Sequence, residues 1–219
     1  MALEVHPLDP IGAEIRGADL RRDVDPDVFD ELEAALLAHG VLVLRDQFID
    51  VEDQVVLGER FGPLESRAFD DHAPHPKVIV ISNVGRDGDV LPRTSENMQI
   101  IAINETWHTD SSFREAPASV SLFSAQVVPE IGGDTFYASM RRGWLDLDEP
   151  GRAELYGLRA VHDYTEAYRR IGSRADDLAN TQLPPMSHPI ARVHPDTGEP
   201  CLFVTGHAFR VEGLVEDAG

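Results

Sequence analysis

Cysteine, lysine and long apolar runs are what this chain of 219 residues has least of. Cys201 stands alone, so an intrachain disulfide and a cysteine-based zinc or iron-sulfur cluster are excluded, which fits a reducing cytoplasm. Lys77 is the only lysine, and 19 basic residues face 39 acidic ones for a formal charge of -20 and a pI near 4.6. That balance argues against nucleic acid or an anionic membrane as partner, since both need a basic surface. No stretch approaches the roughly 18 apolar residues of a membrane span, and the N-terminus lacks the basic start and apolar core of a signal peptide. The expected location is the cytoplasm. The length suits one domain, residues 1–219, and neither an internal repeat nor a low-complexity tract divides it.

What is present reads first as α and β, then as mainly β. Asp25-Pro26 has the form of an N-cap with proline in the first turn, and Val28, Phe29, Leu32 and Leu36 recur at helical spacing until Gly40. A short apolar strand follows at 41–44, and a second helix opens at Asp50 and carries Val51, Val55 and Phe61 before Gly62-Pro63. From Lys77 onward, β-type runs are expected at 78–81, 100–103, 120–128, 135–137, 190–193 and 202–205, interrupted by one helix over 141–158. Many short strands without alternating helices predict a sandwich or jelly roll and not a doubly wound parallel sheet. The polar stretch 165–187, with Pro184-Pro185, reads as a surface excursion or lid.

The chemistry centres on Trp107-His108-Thr109-Asp110. Residues two apart on an extended strand point the same way, so His108 and Asp110 offer one imidazole and one carboxylate to a common side. These are two thirds of the 2-His-1-carboxylate triad that holds non-haem Fe(II) and leaves positions open. A bare H-x-D also occurs by chance, and a hydrogen-bonded pair is the plainer alternative. Trp107 reads as core packing. Downstream, Gly132-Gly133-Asp134-Thr135 marks a sharp turn between strands.

Taken in order, these segments resemble the TauD/TfdA superfamily of Fe(II)- and 2-oxoglutarate-dependent dioxygenases. The resemblance runs through Gly12-Ala13-Glu14-Ile15, His39-Gly40-Val41-Leu42-Val43-Leu44-Arg45-Asp46-Gln47 and Phe61-Gly62-Pro63-Leu64. It continues through Trp107-His108-Thr109-Asp110-Ser111-Ser112-Phe113, Gly132-Gly133-Asp134-Thr135, His188-Pro189 and Arg192-Val193-His194-Pro195-Asp196-Thr197-Gly198. Ile81-Ser82-Asn83-Val84 and the stretch from Gly206-His207-Ala208 to Gly213-Leu214 lean toward the aryloxyalkanoate-cleaving branch. The resemblance implies a double-stranded β-helix, a distorted jelly roll with N-terminal and flanking helices. It implies Fe(II) held by His108 and Asp110, with 2-oxoglutarate and O2 as co-substrates and Thr135 hydrogen-bonding the distal carboxylate of 2-oxoglutarate. The implied reaction hydroxylates a small anionic organic substrate, aryloxyalkanoate- or sulfonate-like, with C–O or C–S cleavage. It is coupled to decarboxylation of 2-oxoglutarate to succinate and CO2.

Asn104 is either a contact to the substrate head group or an ordinary turn residue, and His207 is a candidate donor to an anionic head group. His162, His188 and His194 are expected to make structural hydrogen bonds, and Arg192 is expected to be structural. The superfamily pattern also requires a third ligand, a downstream His, and an Arg for the far carboxylate of 2-oxoglutarate. No histidine follows His207, and Arg210 lies too early for that role. The expectation is a domain lacking its C-terminal strands, through truncation ahead of a natural short form completed by a partner or an inactive remnant. A homo-oligomer is a further possibility. Two alternatives stay open: a non-catalytic jelly-roll binding or assembly protein, and a cupin-type metal isomerase or hydrolase.

Overall fold

The computed structural model describes residues 3–21, 23–65, 74–85, 87–172 and 183–214. Its N-terminal layer is a βαβ unit with an added strand. β1 (Glu4–Pro7) pairs antiparallel with β2 (Ala13–Arg16), and β3 (Leu42–Leu44) pairs parallel with β2. Parallel neighbours need a crossover, which α1 (Pro26–His39) supplies. Asp25 caps it by accepting from the Asp27 amide at 2.9 Å, and Gly40, at φ 76°, ends it in the left-handed region where glycine is unstrained. Phe29, Leu32 and Ala35 fall on one face and pack with Ala13, Ile15, Leu20, Val24 and Leu57. Each large side chain so buried contributes roughly 1.5–3 kcal/mol of transfer free energy. Leu57 comes from α2 (Val51–Arg60), opened by a reciprocal capping box between Asp50 and Asp53.

The middle of the chain departs from the expected run of strands. Residues 100–103 are helical: α3 (Glu96–Ile101) starts at Ser95, whose hydroxyl accepts from the Met98 amide, and runs into a 3₁₀ turn, Ala102–Glu105. A local cap there outweighs the β preference of the isoleucines. Residues 78–81, 120–128 and 135–137 belong to no described strand. Their apolar side chains are largely exposed, among them Phe123, Val127, Val128 and Phe136.

The expected helix over 141–158 divides into α4 (Met140–Asp146) and α5 (Glu149–Leu155), because Asp148 caps a new helix with Pro150 in its first turn. β4 (Arg159–His162) follows and is the centre of a three-stranded antiparallel sheet, between β5 (Met186–Pro189) and β8 (Ala208–Val211). A bulge shifts the β4–β8 register between Val161 and His162. β6 (Ala191–Val193) and β7 (Pro200–Leu202) form a hairpin; β6 falls within the expected strand of 190–193, whereas β7 precedes the expected strand of 202–205 and shares only Leu202 with it. The stretch 165–187 has regular structure at both ends. α6 (Tyr164–Arg170) buries Tyr164, Ala167 and Tyr168, Met186 begins β5, and 173–182 lie outside the described residues. With Ile103 and Phe113, the α6 residues make a second core beneath the 107–113 segment. Among the described residues, no helix is long and apolar enough to cross a membrane.

Candidate active site

The 3₁₀ turn delivers the chain into the His108 segment. Thr106 leaves it with extended backbone, and its carbonyl accepts a hydrogen bond from His108 Nδ1 at 2.8 Å. A carbonyl can only accept, so Nδ1 carries a proton, which leaves Nε2 as the nitrogen that donates to a carboxylate when the ring is protonated and offers its lone pair to a metal when the ring is neutral. Nε2 lies 3.3 Å from Asp110 Oδ1, so the structure brings the two expected ligands together. It does so without a strand: residues 107–109 pair with none, and a tight turn begins at Asp110, with Ser111 in the left-handed region at φ 54°. The hydrogen bond to Asp110 raises the His108 pKa above its ordinary value, partly opposed by burial.

Neighbouring groups hold this pair in place. Ser121 Oγ donates to Asp110 Oδ2 at 2.5 Å. Ser111 Oγ donates to Glu65 Oε2 at 2.5 Å, and the Arg114 guanidinium pairs with the other Glu65 oxygen at 2.7 Å, so Glu65 straps the turn from both ends. Ser112 is fully buried, and its hydroxyl meets His207 Nδ1 and Thr205 Oγ1, each at 3.1 Å. Gly206 allows this contact. Its amide donates to the Trp107 carbonyl at 2.8 Å, and a Cβ on it would lie only 2.7 Å from that oxygen.

His207 is thereby buried with its ring 6.4 Å from that of His108, edge-on, and packed on Phe113 and Tyr164. Burial, aided by the nearby His108, lowers its pKa to about 4, so it is neutral at pH 7. Asn104 is exposed on the 3₁₀ turn. Thr135 is exposed as well, and no described hydrogen bond ties it to His108 or Asp110. Trp107, expected in the core, is 64% exposed.

The other histidines divide. His188 donates to the Arg114 carbonyl at 2.9 Å and His194 Nδ1 faces the amides of Asp196 and Thr197, so both are structural as expected. His162 is not hydrogen-bonded: it is fully buried, neither ring nitrogen has a partner, and it stacks on Phe203 at 5.3 Å. Arg192 covers the same Phe203 ring, 4.6 Å from its centroid, which is a structural use. Ser121, Glu65 and Ser112 were not legible as site residues. Ser112 stands only in the Ser111-Ser112-Phe113 stretch that carries the family resemblance.

The donor set suits a hard-to-borderline divalent metal: a neutral imidazole with its second nitrogen fixed by a carbonyl, and a carboxylate held by a hydroxyl. In number it is short. Among the described residues no group of three or more His, Cys, Asp or Glu side chains converges.

Comparison with known proteins places the chain in a family. Residues 4–219 match the taurine catabolism dioxygenase TauD, TfdA family. The chain is 33% identical over 232 residues to the alpha-ketoglutarate-dependent 2,4-dichlorophenoxyacetate dioxygenase of Cupriavidus pinatubonensis, covering 98% of this chain and 77% of that protein. It is 30% identical to the alpha-ketoglutarate-dependent sulfate ester dioxygenase of Pseudomonas putida, covering 97% and 69%. Among solved structures, AAD-2 in complex with Mn(II) and N-oxalylglycine superposes with a TM-score of 0.90 at 29% identity, covering 98% of this chain and 77% of that one. N-oxalylglycine is an analogue of 2-oxoglutarate. The chain belongs to the TauD/TfdA family of Fe(II)- and 2-oxoglutarate-dependent dioxygenases, which use O2 as the second co-substrate.

Proposed function

We propose that this chain, working in the cytoplasm on a jelly-roll scaffold, hydroxylates a small anionic organic substrate, aryloxyalkanoate- or sulfonate-like, and so cleaves a C–O or C–S bond. The observation that carries the reading is the facing of His108 Nε2 and Asp110 Oδ1 at 3.3 Å, with the far imidazole nitrogen tied to a carbonyl. His108 and Asp110 are the residues that would hold Fe(II). When bound, the metal supplies O2 activation coupled to decarboxylation of 2-oxoglutarate to succinate and CO2.

The chain's own residues then orient and exclude. His207 is buried, neutral and rigidly packed beside His108. In the tautomer where Ser112 donates to Nδ1, its Nε2 carries a proton to offer an anionic head group without adding a buried charge. The packing of Phe113 and Tyr164 behind His207 keeps water from that side. Thr135 takes the distal carboxylate of 2-oxoglutarate and Asn104 a polar edge of the substrate. Both assignments rest on family resemblance, supported by the accessibility of the two side chains. The exposed apolar side chains of 120–137 support self-association as part of the same proposal.

The test is succinate release from the purified chain with Fe(II), ascorbate, 2-oxoglutarate and a panel of phenoxyacetates, alkyl sulfonates and alkyl sulfates. Substrate-dependent succinate that disappears in His108→Ala supports the reading, and turnover that needs no 2-oxoglutarate refutes it in favour of a cupin-type reaction. A second reading, a non-catalytic binding protein, draws on one observation, the absence of a third converging ligand among the described residues. It predicts that His108→Ala leaves the biological effect intact.

A further inference from the structure

We infer that Ser121 is a positioning residue for the metal site, acting through Asp110; this rests on the proposed ligand role of His108 and Asp110. Ser121 lies eleven residues after Asp110 and outside every described strand, yet its hydroxyl donates to Oδ2 at 2.5 Å. The opposite oxygen, Oδ1, is the one that faces His108 Nε2. Holding Oδ2 therefore fixes which oxygen is presented to the metal and keeps the carboxylate from turning into solvent, to which about half of the Asp110 side chain is open.

The placement of Ser121 has an identifiable cause. From 118 to 124 the side chains alternate, with Ala118, Val120, Leu122 and Ser124 half-buried and Ser119, Ser121 and Phe123 exposed. Leu122 packs against the N-terminal core, and Gln54 of α2 donates to its carbonyl at 2.9 Å. Gly58 of α2 lies under the same side chain: a Cβ there would meet Leu122 Cδ1 at an ordinary contact distance of 3.5 Å and crowd Leu64 Cδ2 at 2.9 Å. Anchoring Leu122 on the helix sends its neighbour Ser121 to the other side, toward Asp110. The N-terminal helix thus sets the reach of a hydroxyl at the metal ligand, although α2 itself supplies no ligand.

The experiment is a titration of the metal-free full chain with Mn(II), read by electron paramagnetic resonance, and with Co(II), read by its visible absorption. Replacing a hydroxyl that orients a metal ligand costs roughly 10–100-fold in affinity, and the partial exposure of Asp110 puts Ser121→Ala near the tenfold end. Ser121→Thr keeps the hydroxyl and is expected to stay within about twofold of wild type by the same reasoning. Thermal midpoints of both variants should match wild type, because the side chain is exposed. Equal Mn(II) affinity for Ser121→Ala and wild type, with binding abolished in His108→Ala, overturns the role of Ser121 alone. Affinity that survives His108→Ala unchanged overturns the ligand reading, and the inference with it.

Discussion

Replacing His162 with phenylalanine tests how burial and charge are balanced beside the candidate site. The wild-type imidazole is fully buried, without a hydrogen-bond partner on either nitrogen, between the rings of Phe203 and His188. Desolvation, reinforced by His188 and His207, depresses its pKa to about 4. In the unfolded chain the value returns to near 6.5. Between those two values the unfolded state binds the proton and the folded state does not, so stability is complete above pH 6.5 and falls as pH drops toward 4. For one such group the loss between pH 7.5 and pH 5 is about 2 kcal/mol, a large share of a typical 5–15 kcal/mol. His162→Phe keeps the stacking and forfeits no hydrogen bond. At pH 7.5 its gain from not burying two unpaired nitrogens is offset by a slightly larger ring, leaving stability within about 1.5 kcal/mol of wild type. At pH 5 the variant should have lost about 2 kcal/mol less than wild type. Urea unfolding followed by circular dichroism at both pH values gives the double difference. Parallel acid limbs for the two proteins would refute the reasoning, whatever their stabilities at neutral pH.

Other outcomes follow from the same contacts. Gly206→Ala puts a methyl group against the Trp107 carbonyl and should cost about 1–3 kcal/mol in urea unfolding while loosening His207 from Ser112. Asp110→Asn removes the hydrogen bond that raises the His108 pKa, so an NMR titration of the metal-free variant should show that imidazole titrating at lower pH; an unchanged midpoint would contradict the pairing. Because His108 must lose its proton to bind a metal, Mn(II) affinity should rise with pH through and above the ordinary histidine range, and more so in wild type than where the raising partner is absent. Asp25→Ala strips the cap of α1 and should lower stability by about 1 kcal/mol in the same urea assay.

What the sequence by itself determined lies where the cause is local. Asp25-Pro26 and Gly40 bound α1, Asp50 opens α2, and His108-x-Asp110 puts two ligand types close together, because caps, proline, glycine and a two-residue spacing act over a few bonds. The order of the motifs was likewise enough to mark the family. Tertiary structure decided the rest. Strand propensity at 78–81, 120–128 and 135–137 did not make strands, since a ladder needs a partner as well as a preference, while at 100–103 a serine cap won outright. Ser121, Glu65 and His207 reach Asp110, Ser111 and Ser112 from 11, 46 and 95 residues away, and no period or spacing encodes those meetings. They exist because Leu122 is drawn onto α2 and because Gly206 lets one backbone touch another. Long-range packing of that kind is settled by which apolar faces can bury one another, and it becomes visible only once the chain is folded.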